Sequence, residues 1–256
     1  MCNTQKIHLQ IAYRLLNPRF EKASNSRDWT HDAVSINYVQ TAPASLAYIR
    51  ITPMLLYDSP VAPNPRRVRI FLAEKGIDIP REMIDLGELA QKSEEFTALN
   101  PFQRTPALRL ENGKVLTEST AICRYLESLY PAPNLFGTDP LERAEIEMWD
   151  RRIELGLFTF VASVFRHTHP KMAAMEVPQI AEWADANRPR VFKALDLLNN
   201  ALGEHRFVAG PRFTIADITA LCAVDFMARA RLTIPEHLSH VLRWHAEVSA
   251  RPGAVA

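Results

Sequence analysis

The chain has 256 residues, of which 47% are hydrophobic and 23% charged, and its formal net charge is +1. These are ordinary globular values and give room for one or two well-packed domains. Near-neutrality without a long basic run argues against nucleic acid or an anionic membrane surface as a partner. Cys2, Cys123 and Cys222 are odd in number and far apart, so neither a disulfide framework nor a zinc site is expected. A reducing, cytoplasmic setting fits that pattern. No apolar run approaches the roughly 18 residues that span a bilayer.

Residues 1–53 differ in character from the rest of the chain. They hold one mildly amphipathic patch at 7–16 and a polar stretch without period, with six basic against three acidic residues. We expect a poorly structured extension; a transit peptide and an upstream addition to a chain whose natural start is Met54 both stay open. From Met54 the pattern sharpens. Met54, Leu55, Leu56 and Tyr57 form a short apolar strand ended by Asp58, Ser59 and Pro60. Pro65 suits a first helical turn and Asn64 before it suits an N-cap. Val68, Phe71 and Leu72 mark one helical face, and Gly76 is a C-terminal stop. Residues 79–86 read as a second strand, so strand, helix and strand make a right-handed crossover.

The next stretch, 100–127, has unusual residues at each junction. Pro106 stands at the mouth of a strand, Ala107 to Leu110, where a missing N–H is tolerated. Asn112 and Gly113 signal a two-residue hairpin. Thr117, Glu118 and Ser119 then open a helix carried by Ile122, Tyr125, Leu126 and Leu129. One hairpin thereby joins a free backbone edge to a helix N-terminus bearing a hydroxyl, a fitting site for a short peptide with a carboxylate. Taken singly, each piece is more often an ordinary turn or helix cap.

A proline-rich boundary at 132–140 separates this half from an all-helical one at 141–256. Residues 141–167 read as one long helix, 178–202 as another. Thr214 and Asp217 form a capping box before a helix that is apolar all round and so belongs at the centre of the second half. A last helix around Val241 to His245 ends at Arg251, Pro252 and Gly253.

The NP-x-x-x-TP-x-L run, the Asn-Gly hairpin and the T-E-S helix start resemble the glutathione-binding half of cytosolic glutathione transferases. FVAGPRFTIADITAL resembles the capping-box motif of their second domain. The run DSPVAPNPRRVRIFLAEKGI is most similar to the bacterial nu-class type, with Ala62 in place of its loop threonine. The resemblance covers Met54 to the C-terminus. It implies a thioredoxin-like domain (β-α-β-α-β-β-α) at 54–131, a linker at 132–140, and a helical substrate and dimer domain at 141–256. It further implies glutathione as substrate, with no metal, and a homodimer as the assembly.

Residue roles come from the same resemblance. Asn64 is the expected thiolate donor, with Ser59 as rival, and the amides of Ala62 and Asn64 are the backbone donors beside two prolines. Thr105, before a cis Pro106, offers its N–H and C=O to the cysteinyl unit. Arg104 reaches the glycyl carboxylate, Glu118 accepts from the γ-glutamyl ammonium, and Ser119 holds its carboxylate. The small electrophile would sit against Trp149, Arg152, Phe160 and His167. His167 and His169 lack a third ligand, so no metal is expected there. Glutathione-dependent peroxide or disulfide reduction, and a non-catalytic binding module, are the competing readings.

Overall fold

The computed structural model describes residues 53–256; the expectations for the preceding 52 residues lie outside the described residues. Strand β1 (Leu55–Asp58) is central, because it pairs parallel with β2 (Arg81–Met83) and antiparallel with β3 (Ala107–Arg109). β3 pairs in turn with β4 (Val115–Thr117), giving the order β2-β1-β3-β4. Helices α1 (Pro63–Lys75), α2 (Glu94–Leu99) and α3 (Ser119–Leu129) intervene in the thioredoxin-like sequence expected. The second strand is shorter than the predicted 79–86: Arg81–Met83 is in register with β1, and the flanking Pro80 carbonyl and Ile84 amide close the ladder on Leu56 and Asp58.

Two local expectations change. Helix α1 begins at Pro63 with Ala62 as its extended N-cap, so Asn64 lies inside the first turn rather than capping it. The Asn112-Gly113 hairpin is a three-residue loop. The Leu110 amide donates to the Lys114 carbonyl at 2.8 Å, and Gly113, at φ 82°, donates to the Leu110 carbonyl at 2.9 Å. Asn112 Oδ1 accepts from the Lys114 amide at 3.0 Å, so asparagine and glycine each serve the turn, in a longer form. Gly76 ends α1 as expected, at φ 64°.

The second half is helical: α4 (Pro140–Ile153), α5 (Thr159–Thr168), α6 (Ala181–Glu204), α7 (Ile215–Phe226) and α8 (Ser239–Ser249). The predicted long helix from 141 is interrupted. Between α4 and α5 the turn Glu154–Phe158 winds as a π-helix, which inserts an extra residue and rotates everything downstream. Every residue from Ile215 to Val224 is buried, so α7 is the core helix its composition required. Its start is fixed by Asp217. Oδ2 accepts from the Thr214 amide at 2.9 Å, and Oδ1 accepts from the Val208 amide and Trp244 Nε1, both at 2.9 Å.

Helix α1 joins the halves. It packs on α3 in its own half, and on α7 and the C-terminal turn Pro252–Val255 in the other. Arg251 forks onto Glu74 of α1 at 3.0 and 2.6 Å. No described helix is long and apolar enough to cross a membrane.

Candidate active site

A cavity of about 570 Å³ opens between the two halves. From the first half it is lined by Asn64, Arg104, Thr105, Pro106, Glu118 and Ser119, six of the residues singled out from the sequence. The fold explains their convergence, because β1-α1, α2-β3 and β4-α3 connections all emerge on the same side of the sheet.

Thr105 precedes a cis Pro106, and neither its N–H nor its C=O takes a backbone partner among the described residues. A free donor and acceptor thus project from a largely buried residue, ready to pair with a peptide backbone. Immediately before α3, Glu118 holds φ 65° and ψ 113°, unfavourable backbone for a residue with a Cβ. Such strain persists only where surrounding packing enforces it. Here Ile122, Cys123 and Leu126 anchor α3, and the Ile122 amide donates to the Glu118 carbonyl at 2.9 Å.

Ser119 heads α3, where the first-turn amides have no partner within the helix. Its Oγ accepts from Arg67 Nη1 at 2.6 Å. With that lone pair engaged by a cation, the hydroxyl proton is left to donate into the cavity. Helix terminus and hydroxyl together favour a carboxylate there.

Arg67 is a residue that sequence reasoning missed. It is 1% exposed, reaches Thr120 Oγ1 at 3.1 Å and Glu154 Oε1 at 3.2 Å, and lies 5.5 Å from the Phe158 ring centroid. It therefore couples the Ser119 turn to the π-helical turn of the second half. In the sequence it stands within an RRVR run that reads as a solvated face, and its partners lie 52 or more positions away.

The two thiolate candidates part company. Asn64 is on the cavity wall, while Ser59 is 1% exposed and absent from the lining, its buried Oγ without a partner among the described residues. Of the two backbone amides expected as donors, that of Ala62 already donates to the Ser59 carbonyl at 3.3 Å. Pro63 and Pro65 have no N–H, which leaves the Asn64 amide as the open donor of the first turn.

Arg104 lines the cavity, and burial together with the facing Arg166 guanidinium lowers its pKa from the usual arginine range. The cavity's apolar wall is not made of the residues expected to meet the electrophile. Trp149, Arg152 and His167 are not part of the lining. Arg152 stacks over the Trp149 ring at 4.9 Å, and His167 Nδ1 accepts from the Ile180 amide at 3.0 Å. Phe160 is packed against the core, with Arg190 over its ring. The apolar wall comes instead from Phe158, Ala162, Phe165, Met172, Met175 and Phe226. The Phe165 and Phe226 centroids lie 4.8 Å apart, and those of Phe158 and Phe226 6.3 Å apart. Among the described residues no three His, Cys, Asp or Glu side chains converge as a metal site would need.

Comparison with known proteins gives the same architecture a family. Residues 61–129 match the glutathione S-transferase N-terminal domain model, and residues 149–252 the C-terminal domain model. Glutathione S-transferase 2 of Saccharomyces cerevisiae is 35% identical over 202 residues, spanning 78% of this chain and 87% of that protein. Glutathione S-transferase 3 of Zea mays is 31% identical, over 79% of this chain and 91% of that one. A glutathione S-transferase domain-containing protein of Marinobacter aquaeolei superposes with a TM-score of 0.76 at 37% identity, covering 78% of this chain and 99% of its own. With both domain models matched in order and relatives aligned across both halves, the chain belongs to the glutathione S-transferase family.

Proposed function

We propose that this protein is a glutathione transferase in which glutathione lies along the first half of the cavity and its sulfur faces the phenylalanine wall. The observation that carries the reading is the meeting, in one cavity, of an unpaired Thr105 edge, a helix N-terminus bearing Ser119, and the Asn64 amide. The Thr105 N–H and C=O pair with the cysteinyl unit. The α-carboxylate of the γ-glutamyl unit takes the α3 N-terminus and the Ser119 hydroxyl, its ammonium takes Glu118, and the glycyl carboxylate takes Arg104.

That pose sets the chemistry. A free thiol of this kind ionises near 8.5, and lowering its pKa by about two units takes about 2.7 kcal/mol of preferential thiolate stabilisation. The α1 N-terminus, the Asn64 amide and the Asn64 side-chain NH₂ are the donors at hand. Among the described residues no cysteine lines the cavity, and the tripeptide itself serves as the nucleophile. Its sulfur forms the bond to carbon, and either a leaving group departs with the displaced pair or an activated alkene takes a proton from solvent. Phe158, Phe165 and Phe226 hold the electrophile's apolar body and keep water from the sulfur.

We also place the protein in a reducing cytoplasm, which suits the free buried thiols of Cys123 and Cys222, and read it as a homodimer that covers the exposed Phe102 ring. Sedimentation at two concentrations tests the second point.

Asn64→Ala tests the mechanism. Titration of the 240 nm absorbance of bound glutathione should show its thiol pKa raised by about one unit, with kcat lowered about tenfold at neutral pH and glutathione affinity held within about threefold. An unchanged thiol pKa removes Asn64 from its role.

A further inference from the structure

Glutathione accounts for only part of the cavity's charge. In the proposed pose its two carboxylates take the α3 N-terminus and Arg104, and its ammonium takes Glu118. Arg229 and Lys171 also line the cavity, and among the described residues the side chain of neither makes an ion pair or a hydrogen bond. Of the two acids in the lining, Asp85 already accepts from the amides of Gly87 and Glu88, at 2.8 and 3.4 Å. The carboxylate next to this part of the lining, Glu176, is engaged by Arg166 at 3.4 Å and lies 3.7 Å from His167, so the apolar wall has Arg229 and Lys171 beside it with no carboxylate paired to either among the described residues.

Local structure puts those cations where a substrate would meet them. Arg229 comes three residues after Phe226, on the 3-10 turn Met227–Ala230. Lys171 lies on the turn Pro170–Met172, whose Met172 belongs to the apolar wall. Phenylalanine and methionine alone suffice to hold a neutral electrophile. Two unpaired cations beside them create a positive potential that a neutral molecule leaves unused. We infer that the preferred electrophile is an organic anion, an apolar and typically aromatic body against Phe158, Phe165 and Phe226, with a carboxylate drawn to Arg229 and Lys171. This names the substrate class of the proposed transferase site and rests on that reading.

The probes are trans-3-benzoylacrylate and its ethyl ester, which present the same aromatic body with and without a charge. In each, the glutathione sulfur adds to the alkene carbon β to the ketone, the π pair moves to the ketone oxygen as an enolate, and a solvent proton completes the adduct. Each kcat/KM is divided by the uncatalysed rate constant with free glutathione, which removes the difference in intrinsic reactivity. Both cations are exposed, so the wild type should favour the acid by about fivefold, the upper size of an exposed ion pair, and the preference should shrink as salt is raised. The double variant Arg229→Gln, Lys171→Gln should bring the ratio to about one, while Arg229→Lys, Lys171→Arg should keep it. A wild-type enzyme indifferent to the charge, or a preference that survives the glutamine pair, overturns the inference. Calorimetry with glutathione and conjugation of neutral 1-chloro-2,4-dinitrobenzene separate the two levels. If both succeed without a preference for the acid, only the anion inference falls; if glutathione does not bind, the transferase reading falls with it.

Discussion

Asp150→Asn removes one buried charge and almost no volume. Asp150 is 0% exposed; its Oδ1 accepts from Thr219 Oγ1 at 2.5 Å, and its Oδ2 has no hydrogen-bond partner among the described residues. Burial pushes this carboxyl up to about 6, against the pull of Arg67 and of the Thr219 hydroxyl. The folded state therefore holds the proton more tightly than the unfolded chain, whose value is 3.8. The ionised carboxylate then destabilises the fold at high pH, and the penalty disappears as pH falls below the unfolded value. A gap of about two units is worth about 3 kcal/mol in full. Between about pH 7.5 and about pH 5, the wild type should gain about 1.4 kcal/mol relative to Asp150→Asn, the part of that gap titrated in the window. Urea unfolding of both proteins at matched concentration and both pH values reads it, since groups common to the two cancel in the difference. A difference constant with pH would refute the reasoning. A slope of opposite sign would show that Arg67 outweighs burial and holds the carboxylate ionised.

Three further substitutions probe how the site is held. Arg67→Met leaves Ser119 in place but removes the cation that orients its hydroxyl; glutathione should bind about tenfold more weakly by calorimetry, and an unchanged affinity would make Arg67 a packing residue only. Asp217→Ala strands the buried N–H groups of Val208, Thr214 and Trp244, so denaturant unfolding should show a loss of about 4 kcal/mol, and less than about 1 kcal/mol would contradict that account. Glu118→Gly relieves backbone held at φ 65° while deleting the proposed ammonium acceptor. Its stability should stay within about 1 kcal/mol of wild type or rise, yet its glutathione affinity should fall about tenfold or more; equal affinity would mean the strained residue does not touch the ligand.

The parts legible from the sequence are those whose signals are local. The Thr105-Pro106 strand entrance, the Thr117-Glu118-Ser119 helix start and the Thr214-Asp217 capping box each lie within a few residues, so pattern and chemistry coincide. The apolar wall of the cavity was not legible. On an uninterrupted α-helix Trp149, Arg152, Phe160 and His167 share one face, at the 3.6-residue period. The π-helical turn Glu154–Phe158 adds a residue without any proline to announce it, so faces before and after it are out of phase. Downstream the cavity reads Phe158, Ala162, Phe165, Arg166 and His169, helical spacing on a rotated stripe. Arg67 escaped for a different reason. Its partners Ser119, Thr120 and Glu154 come together only when the halves meet, and no window of sequence contains them all.

Arg67 also changes how the site's two halves relate. Glutathione's proposed contacts all come from the first half, which would make the helical half a mere wall for the second substrate. Arg67 says otherwise, because the guanidinium that fixes the Ser119 hydroxyl is itself bonded to Glu154 and acted on by Asp150, both from the second half. A buried guanidinium is stable only with acceptors or counter-charges around it. Here Ser119 and Thr120 provide neutral acceptors, while the charge is balanced across the boundary. Withdrawal of the helical half would expose Arg67 to water and free it to leave Ser119. The strained Glu118 turn, held in part by that same α3 start, would lose a restraint at the same moment. The Thr105 edge proposed to hold glutathione is therefore encoded in residues 100–127 but completed by the π-helical turn some thirty positions later, and that turn also supplies Phe158 to the apolar wall of the cavity. One irregular turn thus adjoins both proposed subsites, and the stretch from α4 to α5 carries its distortion there and nowhere else along its described length.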